Sequence, residues 1–113
     1  MADLTTQATI TVAAPELDVV GSLAAAAAGG DTAEITPGAF FVLNNASGVT
    51  VTATFATPGT KDGLAIAEAT MAVLAGDIGI MPLRGVFRQS TGRANVTYSA
   101  VTSVTVGVFK IEV

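Results

Sequence analysis

The sequence predicts an all-β fold, a single small β-sandwich or barrel-like domain. Threonine and valine, which favour pleated strands, supply 16 and 14 of the 113 residues. Short segments that alternate apolar and polar side chains recur along the chain, and clusters of Gly, Asn, Asp or Pro separate them. The length fits one domain. Half of the residues are hydrophobic and only 12% are charged, which excludes an intrinsically disordered chain.

The first thirty residues differ in composition from the rest. Residues 9–12 have the Thr-Ile-Thr-Val pattern of a strand. Residues 22–28 are alanine-rich and precede two glycines, but they carry no amphipathic pattern, so an extended linker is favoured over a short helix. We therefore expect an N-terminal arm and linker over residues 1–30 and a β-sandwich domain over residues 31–113.

The clearest strand signals lie on either side of one loop. Residues 39–43 are apolar on both faces, as in a central strand that is covered on both sides. Residues 49–55 alternate strictly, with Val49 on the apolar face and three threonines on the other. The Asn-Asn-Ala-Ser-Gly loop at 44–48 contains residues that tolerate positive φ, which predicts a β-hairpin.

The remaining strands are predicted from shorter patterns. An alternating stretch at 65–74 precedes a turn at 75–77 and a strand at 78–81. A short strand at 84–88 follows.

The C-terminal part ends in the longest predicted strand. Residues 95–98 alternate again, and residues 103–113 form the final strand. The apolar phase of this strand changes near Gly107, where we expect a β-bulge.

The missing residue types exclude most catalytic chemistry. The chain has no cysteine and no histidine, so a zinc site, a disulfide, a thiol nucleophile and a histidine general base are all excluded. The carboxylate pairs Glu16 with Asp18 and Asp31 with Glu34 are interpreted as solvated loop charges. Loop carboxylates near Asp31 or Asp62 leave calcium binding open as an alternative, although neither matches an EF-hand loop. We expect no enzyme activity, no catalytic residues, no cofactor and no metal.

Charge and hydropathy limit the partners. A formal net charge of −4 with only five basic residues argues against a nucleic-acid partner. No apolar stretch approaches the 18 to 20 residues of a membrane-spanning helix, so we expect no membrane partner. So few charges on so small a domain indicate that much of its surface contacts other protein. Arg84, Arg88 and Arg93 are candidate interface charges, with solvated surface as the alternative.

Three segments resemble a group of phage proteins. They are Gly-Gly-Asp-Thr at 29–32, Pro-Gly-Thr-Lys-Asp-Gly-Leu-Ala-Ile-Ala at 58–67, and Asn-Val-Thr-Tyr-Ser-Ala-Val-Thr-Ser-Val-Thr-Val at 95–106. Over about residues 29–109 the chain is similar to small β-rich head proteins of tailed phages of actinobacteria, which include capsid decoration (cement) proteins.

The resemblance implies a structural virion protein that binds the outer surface of an icosahedral head. Its partner would be the major capsid protein, whose neighbouring subunits it would clamp. The resemblance also implies a homo-oligomer, with a trimer favoured, that is made in the host cytoplasm and located on the outside of the capsid. The alternative is a tail or cell-surface module that binds a receptor or carbohydrate, which should display exposed aromatic side chains or clustered acidic loops.

The N-terminal arm provides a candidate capsid contact. Its β-prone run lies outside the expected compact body, so we hypothesise that it adds as a strand to an exposed sheet edge of the capsid protein. The residues assigned to this arm strand are Thr5, Thr6, Thr9, Ile10, Thr11 and Val12.

Overall fold

A computed structural model of the protein describes residues 3–4, 6–10, 23–57, 60–61, 63–65, 68–90 and 92–111. Most of these residues form two β-sheets that share an apolar core. Sheet A contains, in spatial order, β1 (Asp3–Leu4), β4 (Asp31–Glu34), β11 (Arg93–Tyr98), β6 (Val51–Phe55) and β9 (Ala69–Val73). Sheet B contains β10 (Ile78–Pro82), β5 (Ala39–Asn45), β12 (Val104–Ile111) and β2 (Thr6–Ile10), while β3 (Ala24–Ala25) also pairs with β12. A separate hairpin consists of β7 (Thr60–Lys61) and β8 (Leu64–Ala65).

The all-β prediction is confirmed, and the arrangement is consistent with a β-sandwich. The only helical element in the described ranges is a 3₁₀ turn, Gly85–Phe87. The two N-terminal strands pair in parallel with β4 and β12, and the other pairings are antiparallel.

The core lies between the sheets and follows the period of two expected of strands. In β6 the buried side chains are Val51, Ala53 and Phe55, while the intervening threonines are half-buried. Phe55 packs between two other phenylalanines: its ring is 5.2 Å from that of Phe41, nearly perpendicular, and 5.6 Å from that of Phe87. This aromatic cluster joins the two sheets.

The predicted hairpin around residues 44–48 is wrong. β5 lies in sheet B and β6 lies in sheet A, so the intervening loop crosses between the sheets. Both edges of β5 are already occupied, by β10 over five residues and by β12 over seven, which leaves no edge for β6. β6 begins at Val51, and Val49 is exposed in the loop. The two asparagines at 44 and 45 do not adopt positive φ, since Ser103 is the one non-glycine residue with positive φ among those described.

The N-terminal segment also differs from the expected arm. β1 pairs with β4 in sheet A and β2 pairs with β12 in sheet B, so these residues complete the two sheets of their own chain. Leu4 is buried in the core. The physical reason is that β4 and β12 each offer an edge, and pairing satisfies backbone groups that would otherwise remain free. Residues 23–30 are not helical, as the extended interpretation expected.

Strands β9 to β12 lie where the sequence predicts them. β9 is shorter than predicted, β11 begins earlier and β12 begins one residue later. The strand predicted at 84–88 is wrong, because the chain forms the 3₁₀ turn there and turns Phe87 into the core. The β-bulge expected near Gly107 lies further along β12, and only on one side of that strand. β12 pairs with β5 without interruption at Gly107, and the register shifts between Val108 and Lys110 on the side of β2.

Candidate functional site

The outward surfaces of the two sheets have opposite character. On sheet A the strand register sets Thr54 between Thr70 and Thr97, and Thr32 opposite Asn95, so the outward side chains are largely hydroxyl-bearing. On sheet B the outward side chains are largely apolar. We call this set the apolar face and define it as Phe40, Val42, Ile78, Ile80, Phe109 and Ile111.

Part of the apolar face is covered by the chain itself. Val42 and Phe109 are fully buried, although neither belongs to the core cluster between the sheets. The rings of Phe40 and Phe109 lie 6.0 Å apart. Gly107 leaves a gap in the apolar face, and the Leu23 side chain packs against its backbone. A Cβ added at Gly107 would lie only 2.9 Å from Cδ2 of Leu23. Sheet B therefore buries apolar groups on both sides.

The rest of the apolar face is exposed. Ile78, Ile80 and Ile111 have exposed fractions of 48%, 61% and 51%. Next to them lies a cleft of about 450 Å³. Its lining includes Phe40, Ile80, Pro82, Leu83, Arg84 and Ile111. Scattered exposed apolar side chains are common on monomers, but a continuous apolar area beside an apolar cleft is typical of a protein-binding surface.

The exposed part of the apolar face borders the edge of sheet B. β10 pairs only with β5 in the described part of the chain. Leu83 donates its N–H to the carbonyl oxygen of Ala39 at 3.0 Å, which identifies the odd-numbered positions as those bonded to β5. Because hydrogen bonding alternates along an antiparallel strand, Ile78 and Ile80 direct their backbone N–H and C=O away from the sheet.

The three candidate interface arginines are in different environments. The Arg93 guanidinium donates to Oγ1 of Thr32 at 2.9 Å and to the carbonyl oxygen of Leu4, so it ties three strands of sheet A together. Arg88 donates to the carbonyl oxygen of Ile35 at 3.5 Å. Arg84 is exposed at the cleft. Of the three, only Arg84 lies beside the apolar face.

The residues predicted for the arm strand are partly described. Thr6, Thr9 and Ile10 belong to β2, where they pair with Val108, Lys110 and Ile111. Thr5, Thr11 and Val12 lie outside the described residues. Their contact with a capsid protein stays a prediction.

Asp31 is not the solvated loop charge that the sequence predicts. It is fully buried at the start of β4, and its Oδ2 accepts a hydrogen bond from the Tyr98 hydroxyl at 2.7 Å and one from the Ala27 N–H at 3.3 Å. The register of β4 and β11 positions this pair at one end of the core. Burial, and then the hydrogen bond and negative charge of Asp31, raise the pKa of Tyr98 far above its usual value of about 10. These contacts fit a structural pair, and no sequence signal marked it.

Titration of Tyr98 provides a direct test, because it is the only tyrosine and the chain has no tryptophan. We expect phenolate absorbance at 295 nm to stay absent from the folded protein above pH 10, and to rise only as circular dichroism reports unfolding. The raised pKa means that the folded state holds this proton more tightly, so stability is full below the unfolded pKa of about 10 and falls as pH rises above it. Phenolate formation near pH 10 in a folded protein would contradict the buried pair.

The described residues contain no group of three or more Asp, Glu, His or Cys side chains that could hold a metal ion. All six aromatic residues lie in the described ranges, and none is exposed, so the aromatic platform expected of a carbohydrate-binding module does not occur. No helix in these ranges is long and apolar enough to cross a membrane. No family model, curated protein or solved structure matches the chain.

Proposed function

We propose that the protein is a structural component of an icosahedral phage head. It binds the outer surface of the assembled shell as a decoration (cement) protein and stabilises contacts between major capsid subunits. The observation that carries this proposal is the difference between the two outward surfaces, one hydroxyl-rich and one apolar. The sequence resemblance over about residues 29–109 supplies the identity of the partner.

The contrast between the sheets gives the protein an orientation on the shell. Threonine hydroxyls on sheet A stay hydrated at little cost, so this side faces solvent. Burying the exposed isoleucines of the apolar face contributes roughly 25 cal/mol for each Å² of apolar surface removed from water. The apolar face therefore lies against capsid protein, and neighbouring copies in a trimer share the contact.

A decoration protein needs no single strong site. Many identical copies bind one lattice, so a modest contact in each copy adds up to substantial stabilisation of the shell. A protein that binds assembled lattice and not free subunits also shifts the assembly equilibrium by mass action. Low charge, an apolar outward face and the lack of catalytic residue types fit this role.

The N-terminal segment is a second proposed contact with the capsid protein. β2 is the last of the described strands of sheet B, so a capsid strand that pairs with residues Thr5–Val12 would either extend the sheet beyond β2 or replace its pairing with β12. Both alternatives use backbone hydrogen bonds and need no special side chain.

Two measurements test the function. Size-exclusion chromatography with light scattering gives the oligomeric state, and co-sedimentation with purified expanded capsids gives the number of copies bound. We expect a discrete oligomer, or a monomer that saturates capsids at a fixed ratio to the major capsid protein. Unexpanded capsids are the control lattice. A protein that stays in the supernatant at every capsid concentration would contradict the proposal.

A further inference from the structure

We propose that the free edge of β10 and the adjoining cleft bind an extended segment of a neighbouring protein. The segment adds to sheet B as a further strand, inserts one aliphatic side chain into the cleft and directs one carboxylate to Arg84. The inference rests on the proposed function only in taking that neighbour to be a shell protein. The chemistry of the segment follows from the cleft and the edge.

The edge of β10 is open and regular as far as the described strands go. None of them pairs with the outward backbone donors and acceptors of Ile78 and Ile80, and the five residue pairs between β10 and β5 continue without a bulge. Soluble proteins usually protect such edges with charges, prolines or bulges. Here β10 carries no charged residue, and Pro82 at its end removes only one donor. An added strand would satisfy these backbone groups along the exposed part of the sheet.

The cleft determines which side chain the added strand carries. Outward side chains of neighbouring strands lie side by side, so a residue opposite Ile80 directs its side chain to the same surface as Ile80 and Pro82. Ile80 and Pro82 are themselves walls of the cleft, whose other walls include Phe40 and Ile111. An aliphatic side chain fits these apolar walls, whereas a polar one would lose its hydration without gaining a partner.

Arg84 supplies the charge preference. It is the only charged residue among the described residues that line the cleft, and it is exposed at the end of β10 in a protein of net charge −4. A guanidinium beside an apolar cleft favours a segment in which a carboxylate lies two residues after the aliphatic residue, on the same face of the added strand. A lysine at the same position of the segment would be repelled.

Synthetic peptides test this binding mode. The probe is a blocked, fluorescein-labelled octapeptide in which threonine and valine alternate and an aspartate takes the last valine position, so that it shares a face with the remaining valines. A second peptide carries lysine in place of the aspartate, and a third is N-methylated at alternate amides. By fluorescence anisotropy at low salt, we expect the aspartate peptide to bind, the lysine peptide to bind roughly fivefold more weakly, and the N-methylated peptide not to bind.

Protein variants make the result specific. Arg84→Glu should reverse the preference between the aspartate and lysine peptides, while Ala72→Glu, an exposed change on sheet A, should leave both affinities unchanged. The inference is overturned by no binding of the aspartate peptide at millimolar concentration, by equal affinity for the two peptides, or by self-association through β10 that excludes the peptide. Capsid co-sedimentation tests the proposed function separately. If no peptide binds but the protein still binds capsids, this inference is wrong and the decoration function stands.

Discussion

Replacing Asn45 with alanine is expected to lower the free energy of unfolding by about 3 to 5 kcal/mol, a large part of the stability of a domain this size. Asn45 is fully buried, and its amide nitrogen donates to the carbonyl oxygen of Val49 at 2.7 Å and to that of Val73 at 2.9 Å. Its amide oxygen accepts hydrogen bonds from the backbone and the hydroxyl of Ser47. Alanine would remove all four hydrogen bonds, of which the bond to Val73 is buried and the other three are part-buried at the loop.

The large effect follows from where these partners lie. Asn45 ends β5 in sheet B, Val73 ends β9 in sheet A, and Val49 belongs to the loop that crosses between the sheets. The Asn45 backbone also bonds to the loop at 74–77, which joins β9 of sheet A to β10 of sheet B. The Asn45 carbonyl oxygen accepts from the Gly76 N–H, and the Asn45 N–H donates to the carbonyl oxygen of Asp77. One residue therefore holds two of the connections between the sheets at this end of the sandwich.

Urea denaturation followed by circular dichroism measures the loss, and two variants control it. Asn45→Asp keeps the shape but removes both donors and sets a carboxylate against two carbonyl oxygens, so it should be at least as destabilising. Asn44→Ala changes the neighbouring half-buried residue and should cost less than about 1 kcal/mol. If Asn45→Ala unfolds within 1 kcal/mol of the parent protein, the amide does not hold the two sheets together.

The role of Asn45 could not be predicted from the sequence, because the pattern of a strand does not identify its neighbours. Alternation predicts which side chains of a strand are buried, and this prediction holds for β6, whose valine, alanine and phenylalanine enter the core. Alternation does not determine which strand is the neighbour. An Asn-Ser-Gly loop has the same composition whether it joins paired strands or crosses between sheets. The apolar residues of β5 on both faces did predict a central strand, and that prediction is confirmed.

The candidate site was only partly predictable for a related reason. Low charge predicts a surface in contact with protein, but it does not identify that surface. Ile78 and Ile80 fall in a predicted strand, and their exposure depends on β10 being at an edge, which is a property of the three-dimensional topology. Likewise Arg84 and Arg93 are close in sequence, yet one lies at the cleft and the other ties strands of sheet A.

The double substitution Ile78→Thr with Ile80→Thr is expected to lower affinity for expanded capsids roughly 50-fold. Each isoleucine loses apolar surface that the complex would bury, about 1 to 1.5 kcal/mol per residue for side chains already half covered. Threonine keeps the branched shape and the strand preference, so the fold should be retained. Co-sedimentation across a range of protein concentrations measures the affinity, and thermal unfolding of the same samples checks the fold.

Thr70→Ser with Thr97→Ser makes an equally conservative change on the hydroxyl-rich side of sheet A, and it should leave capsid binding unchanged. The pair of variants separates the two outward surfaces, because both alter exposed β-branched residues and only one lowers the apolar area of the apolar face. Capsid occupancy that survives the isoleucine changes but falls with the threonine changes would reverse the proposed orientation. Occupancy that survives both would place the contact away from the outward faces, where the strand edges are the remaining surfaces able to add backbone hydrogen bonds.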